Sequence, residues 1–315
     1  MSASSSAVPP WAGPRRPSPP RRPGAYTGQP PPKLPMRALK GVALAICCLL
    51  VVGPFLAVVA TSLADAEQVN AAGGLVLWPD NPNLNAYRAI LAGGIVTRSI
   101  VVSVCITLVG TALSLTFTAL LAYSLSRPGS FLSKPMLLTV LFTLLFSPGI
   151  IPSYLMVKQL GLLDSYWALI LPTMISGFNV IVMRAFFMEL PQELIDSARI
   201  DGAGELATFV RIVLPLSKAV LAVVGLFYAV GYWNAFFNAL LYLNDNAKWP
   251  LQLVLRSYVV NSSSLTPEQL DVSSLPPQQS LQMAILVLSL VPIALIYPFI
   301  QRHFTKGVLI GAVKG

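Results

Sequence analysis

Few residues in this 315-residue chain have the types and spacing that chemistry needs. His303 is the only histidine, and no cysteine or carboxylate adjoins it in the chain. A single imidazole of that kind makes neither a metal centre nor an activated base. Cys47, Cys48 and Cys105 all lie in apolar stretches, where a thiol behaves as a small apolar side chain. No disulfide framework, metal site or resident cofactor is therefore expected. The phosphate-binding pattern G-x-x-x-x-G-K-[ST] is absent, so this chain does not hold ATP in that manner. What remains is neutral: Asn179, and the run Gly231 to Asn238 with Tyr232, Trp233, Asn234 and Asn238. Asn234 and Asn238 are four apart and would share a helix face. Amides beside aromatic planes suit a sugar, whose ring faces are apolar and whose hydroxyls need hydrogen bonds. The same residues equally suit helix-to-helix adhesion. Both readings stand at this point.

The elements that must carry these residues follow from composition. Hydrophobic residues make up 55% of the chain and charged residues only 10%. A soluble domain is about one quarter charged, so too few charges are present to clothe a water-facing surface. Residues 1–35 hold eleven prolines with paired arginines at 15–16 and 21–22. They cannot bury enough apolar surface to order themselves, and a disordered tail is expected. Six apolar segments follow: 41–64, 99–126, 135–157, 165–183, 219–244 and 281–300. Each reaches the roughly 20 residues that a membrane-crossing helix needs. The first is longer than the apolar core of a cleaved signal, about 7–15 residues, and is expected to be retained. The fold expected is an all-α polytopic membrane protein with six transmembrane helices.

Lysine and arginine placement sets the orientation. With a cytoplasmic N-terminus, sixteen of the 21 basic residues fall on the inner side, Arg127, Lys134, Arg184 and Arg199 among them. Only Arg88, Arg98, Lys158, Lys248 and Arg256 fall outside. Both termini are expected to be cytoplasmic. The net charge of +9 is then a consequence of topology, and nucleic acid is not an expected partner. All twelve acidic residues lie outside the six segments. An ion-coupled carrier ordinarily needs a carboxylate within the membrane, which disfavours that alternative.

Between the fourth and fifth segments, residues 189–215 carry five of the twelve acidic residues. Pro191 is suited to a helix's first position, and Glu193 follows in the first turn, where negative charge meets the positive helix end. Leu190, Leu194 and Ala198 recur every four residues and predict one apolar face. Gly202 and Gly204 break this helix, and a second amphipathic stretch, 205–214, is expected to end at Pro215. The result is a cytoplasmic knob able to dock in a partner's groove.

At this loop the chain resembles a known family. Asp196-Ser197-Ala198, three residues, Gly202, nine residues, Ile212, one residue and Leu214-Pro215 match the spacing of the EAA loop of binding-protein-dependent ABC importer permeases. Asp and Ser replace the first two letters. The stretch Gly161 to Pro172 is similar to the entry of the fourth helix in carbohydrate-type permeases. The ending Lys306 to Gly315 resembles the tail of the maltose-type G subunit and of LplC-like polysaccharide permeases. The resemblance covers residues 36–315.

The resemblance implies the type I importer (MetI-like) permease fold in the bacterial cytoplasmic membrane. It implies a heterodimer with a second permease, two ATPase subunits that bind ATP and magnesium, an extracytoplasmic solute-binding protein and surrounding lipid. It makes Glu193, Asp196, Ser197, Ala198, Gly202, Ile212, Leu214 and Pro215 the ATPase-coupling loop, with Asp196, Ala198 and Gly202 at the contact. It matches the outer segment 245–280 in position with a loop that reaches toward the binding protein. Carbohydrate, most of all oligosaccharide, is the cargo it implies.

Overall fold

A computed structural model describes residues 34–127, 129, 132–260, 270 and 276–312. The Pro-rich tail, residues 261–269 and 313–315 lie outside them. All regular structure among the described residues is helical. The chain divides into two compact units, Met1–Gly53 and Pro54–Gly315. The described part of the first is the opening of helix α1, Leu34–Leu63. Its Leu44, Leu49 and Leu50 are exposed, as suits a lipid-facing surface.

The second unit is organised on α4, Gly94–Ser126. Two short helices precede it, α2 (Ala66–Ala71) and α3 (Asn85–Leu91). After it come α5 (Ser133–Leu145), α6 (Ile150–Gln159), α7 (Trp167–Ile170) and α8 (Gly177–Met188). The loop region contains α9 (Gln192–Ile200), α10 (Glu205–Thr208) and α11 (Leu214–Leu216). The remainder is α12 (Lys218–Trp233), α13 (Phe237–Tyr242), α14 (Leu251–Leu255) and α15 (Gln278–Ala312).

Three stretches are unbroken and apolar enough to cross a membrane: Ala38–Leu63, Gly94–Ser126 and Gln278–Pro298. The other three expected segments are interrupted. Segment 135–157 becomes α5 and α6, parted at Phe146–Gly149, where Pro148 offers no N–H and Gly149 adopts φ +82°. Segment 165–183 passes through a 3₁₀ turn at Leu171–Thr173 and bends by 52° before α8. Segment 219–244 stops at Asn234 and resumes as α13. Asn234 and Asn238 therefore do not share a helix face. The Asn234 amide instead donates back to the Val230 carbonyl at 2.9 Å, closing the end of α12.

Why α4 is the hub is visible in its small residues. Ser103, Gly110, Ser114, Thr118 and Ala122 are buried along one side and let α12 approach closely. At Gly110 a Cβ would stand 2.8 Å from the Tyr232 ring. The hydroxyls of Ser114 and Tyr232 meet at 2.8 Å, and those of Thr118 and Tyr228 at 2.7 Å. Backbone groups exposed at a break inside a bilayer must find partners in the protein. The Ser176 N–H, at the break before α8, donates to the Tyr228 hydroxyl at 3.0 Å.

Just before α7, Asp164 holds a positive φ of 59°, unusual for a residue with a side chain. Its N–H donates to the Tyr242 carbonyl at 2.7 Å. Its carboxylate accepts from the N–H groups of Asn244 and Asp245 and from Lys248 Nζ at 2.7 Å. The Lys248 hydrogen bond, foremost, and then the Asp245 N–H hold that carboxyl below its usual range. The clamp fixes the approach to α7 against the end of α13.

Gly110→Leu would drive a branched side chain into the Tyr232 ring. It is expected to lower stability by about 1–3 kcal/mol, read as a fall in the midpoint of thermal unfolding in detergent. An unchanged midpoint would show that α4 and α12 do not meet at this glycine.

Candidate functional site

Two features stand on this frame: the helix expected to dock a partner, on one side of the unit, and a cavity within it. That helix is α9. Pro191 sits just before it in extended geometry, one position earlier than expected, as the N-cap. Glu193 lies in its first turn and Arg199 in its last, both matched to the helix dipole. Gly202 adopts φ +80°. Its N–H donates to the Arg199 carbonyl, and the Ala203 N–H to the Ala198 carbonyl at 2.9 Å. This is a Schellman end, which favours glycine because a left-handed residue bearing a Cβ is strained.

The buried side of α9 is Ile195 and Ala198. Leu194 is 45% exposed, so the expected face of Leu190, Leu194 and Ala198 is corrected. A spacing of four drifts around a helix of 3.6 residues per turn, and Ile195 takes the inward position. Asp196, Ser197 and Glu193 face solvent. Ala198, inward and buried, anchors the helix to its own chain. The outer surface also holds Ile200, 86% exposed, and Leu206, 70% exposed. Composition alone did not single out these two.

The second stretch does not end at Pro215. A π-helical turn spans Phe209–Val213 and α11 continues to Leu216 before a bend of 84° into α12. Proline withholds an N–H from the ladder, and the widened turn accommodates the loss. Ile212 and Leu214 are half-buried and Pro215 is exposed. Phe209 and Val213 are buried, and the Phe209 ring lies 4.8 Å from that of Tyr123 on α4.

One carboxylate joins these parts. Glu205 accepts from the Tyr123 hydroxyl at 2.8 Å and pairs with Arg199 at 2.5 Å. Arg199, foremost, and then Tyr123 hold its carboxyl below the usual range. The end of α9, the start of α10 and the end of α4 are thus tied at one side chain. No local spacing marks this meeting, because Tyr123 and Glu205 stand 82 positions apart and Arg199 reaches Glu205 across the turn at Gly202.

The cavity, of about 390 Å³, lies between the α7–α8 break and the α12–α13 break. Its polar wall includes Asn179, Asn238, Thr173, Ser176 and Tyr228, and its apolar wall Phe178 and Phe227. Tyr232 also lines it. Asn179, Tyr232 and Asn238 are thus brought together as the sequence suggested. Trp233 and Asn234 are not. The Trp233 indole points to α15 and donates to the Ser289 carbonyl at 2.9 Å. Among the described residues no Asp, Glu, His, Lys or Arg lines the cavity. Such a wall suits neutral groups, which amides, hydroxyls and ring faces can receive. Among the described residues no cluster of three His, Cys, Asp or Glu forms a metal site.

Residues 89–310 match the family described as binding-protein-dependent transport system inner membrane component. The chain is 48% identical over 273 residues to the polygalacturonan/rhamnogalacturonan transport system permease protein YtcP of Bacillus subtilis, covering 86% of this chain and 94% of that one. It is 48% identical over 264 residues to protein LplC of the same organism, covering 83% and 89%. Among solved structures it resembles a chain of a bacterial ABC transporter that imports the acidic polysaccharide alginate. There the TM-score is 0.79 at 28% identity, over 88% of this chain and 100% of the other. The MetI-like permease fold expected from the sequence is the fold observed.

Glu205→Gln removes the charge of the tie at nearly constant shape. It is expected to raise amide exchange across residues 192–208 several-fold at pH 7, measured by hydrogen–deuterium exchange. A carboxyl with a lowered folded pKa contributes stability above its unfolded value, near 4.3, and loses it as pH falls through the lower folded value. The native protein should therefore keep its protection at about pH 5; loss of protection there, or none in the variant, would contradict the tie.

Proposed function

We propose, from the premise that this chain belongs to the family of binding-protein-dependent transport system inner membrane components, that it is the permease subunit of an ATP-driven carbohydrate importer. Members of this family are transporter components, so the chain is not an enzyme. Membership also sets aside the ion-coupled carrier. ATP and magnesium belong to a partner ATPase dimer in this reading. A second permease and an extracytoplasmic solute-binding protein complete the machine, with both termini of this chain cytoplasmic.

The observation that carries the proposal is a continuous mechanical path. The outer face of α9 presents Glu193, Asp196 and Ser197 with the apolar Ile200 and Leu206 beside the turn. Its last turn is tied through the Arg199–Glu205 pair to Tyr123 on α4. Farther along, α4 holds α12 through Thr118–Tyr228 and Ser114–Tyr232, and α12 is a wall of the cavity. Closure of an ATPase dimer on α9 would move it as a rigid element, since its Schellman end and the Glu205 tie resist local bending. The movement passes through α4 to the cavity wall and switches the pathway between inward- and outward-facing states.

The cargo assignment rests on the cavity and on the named relatives. Amides of Asn179 and Asn238 with Phe178 and Phe227 suit a hydroxylated ring. The wall this chain contributes has no cation for a sugar acid, so it reads ring and hydroxyls.

Gly202→Val in the assembled transporter tests the coupling. The strained left-handed position costs about 1–2 kcal/mol and displaces the turn while membrane insertion stays intact. Oligosaccharide uptake by proteoliposomes is expected to drop by roughly tenfold, with the ATPase losing its cargo stimulation. Undiminished uptake with full stimulation would end the coupling reading. Asn179→Leu and Asn238→Leu are each expected to weaken cargo-dependent stimulation by about fivefold, the worth of one hydrogen bond. If neither changes it, the cavity is not the cargo path.

A further inference from the structure

A second cavity, of about 590 Å³, opens where α4 and α8 end and α5 begins, near the root of α9. Three cations from three elements converge on it: Arg127 just after α4, Lys134 in the first turn of α5 and Arg184 in α8. Among the described residues its lining contains no carboxylate. The inward bias of basic residues accounts for their number on this side. It does not account for their convergence on one cavity.

The chain uses these charges in part, Arg127 acting also on the Glu205 carboxylate and the Tyr123 hydroxyl. Arg184 donates from Nε to the Leu125 carbonyl at 2.9 Å, meeting one orphan acceptor at the end of α4. Arg127 lies over the Tyr123 ring at 4.4 Å, with its Nε–H buried and without an acceptor. Lys134 is exposed and forms no ion pair among the described residues. The first turn of α5 has no side-chain cap, so its backbone N–H groups add to the positive field. The rest of the wall includes Leu137, Phe187, Met188 and Leu190. Cations beside an apolar flank suit an amphiphile better than a free ion.

We propose that this cavity binds the phosphate-bearing headgroup of an acidic phospholipid, with the acyl chains along the apolar flank. The assignment rests on the reading that this end of the helices is cytoplasmic, where the leaflet supplies anionic headgroups. Leu190 and Gln192, at the entry to α9, belong to the same wall. An occupied site therefore braces the docking helix against α5 and α8, and the lipid regulates how firmly α9 is held.

The test uses the assembled transporter, exchanged into mixed phosphatidylcholine and phosphatidylglycerol nanodiscs and then into detergent. Native mass spectrometry counts the retained lipid. The unaltered protein is expected to keep phosphatidylglycerol in preference to phosphatidylcholine. Lys134→Gln, which breaks no ion pair among the described residues, should retain several-fold less, and Lys134→Gln with Arg184→Gln less again. Arg184→Lys should behave as the unaltered protein. Equal retention in Lys134→Gln and the unaltered protein would overturn the site. Displacement of the lipid by millimolar inorganic phosphate would assign the cavity to a soluble anion and overturn the lipid reading. Because the readout is lipid and not uptake, either failure leaves the importer reading untouched.

Discussion

The close contact of α4 and α12 is the constraint on which the rest of the second unit depends. It exists because Gly110 has no side chain where the Tyr232 ring passes and because Ser114 and Thr118 offer hydroxyls to Tyr232 and Tyr228. In a lipid environment apolar burial gives no advantage to helix association, so small residues and hydrogen bonds decide it. Such bonds average about 0.6 kcal/mol each. Their value here is positional as much as energetic. The Tyr228 hydroxyl also takes the Ser176 N–H, so the contact that joins two helices stabilises the break in a third.

That break makes a cavity possible. A continuous helix through 165–183 would have kept its backbone paired and its side chains in packing. The 52° bend at Leu171–Gly177 opens space against α12, and the interruption at Asn234 opens the facing wall. The Asp164 clamp holds one end of these walls through five hydrogen bonds to the segment 242–248. Irregular backbone is tolerated at such depth only where protein partners or a cavity receive its polar groups. Here both occur together.

Much of this was legible in the residues. Six apolar segments and the spacing from Asp196 through Gly202 to Pro215 are local patterns, and local patterns survive without tertiary information. The reading failed where the outcome depended on a neighbour. Leu194 and Ile195 are adjacent apolar residues, and only packing against the chain's own core selects Ile195. Pro215 is an ordinary helix stop, yet a π turn carries the helix past it. Asn234 and Asn238 have helical spacing, yet one closes α12 and the other lines the cavity. Trp233 beside them turns to α15.

By itself, then, the sequence determined membership in a family, the membrane class and the position of the helical loop that turns at Gly202. Hydropathy, charge asymmetry and glycine spacing are written in consecutive residues, so no fold is needed to read them. Only the tertiary structure decided that Glu205 joins α9 to Tyr123, that Asn179 and Asn238 face one cavity, and that Arg127, Lys134 and Arg184 surround another. Each of these meetings brings together residues from separate helices. Helix crossings, bends and broken spans set such distances, and no local spacing encodes them.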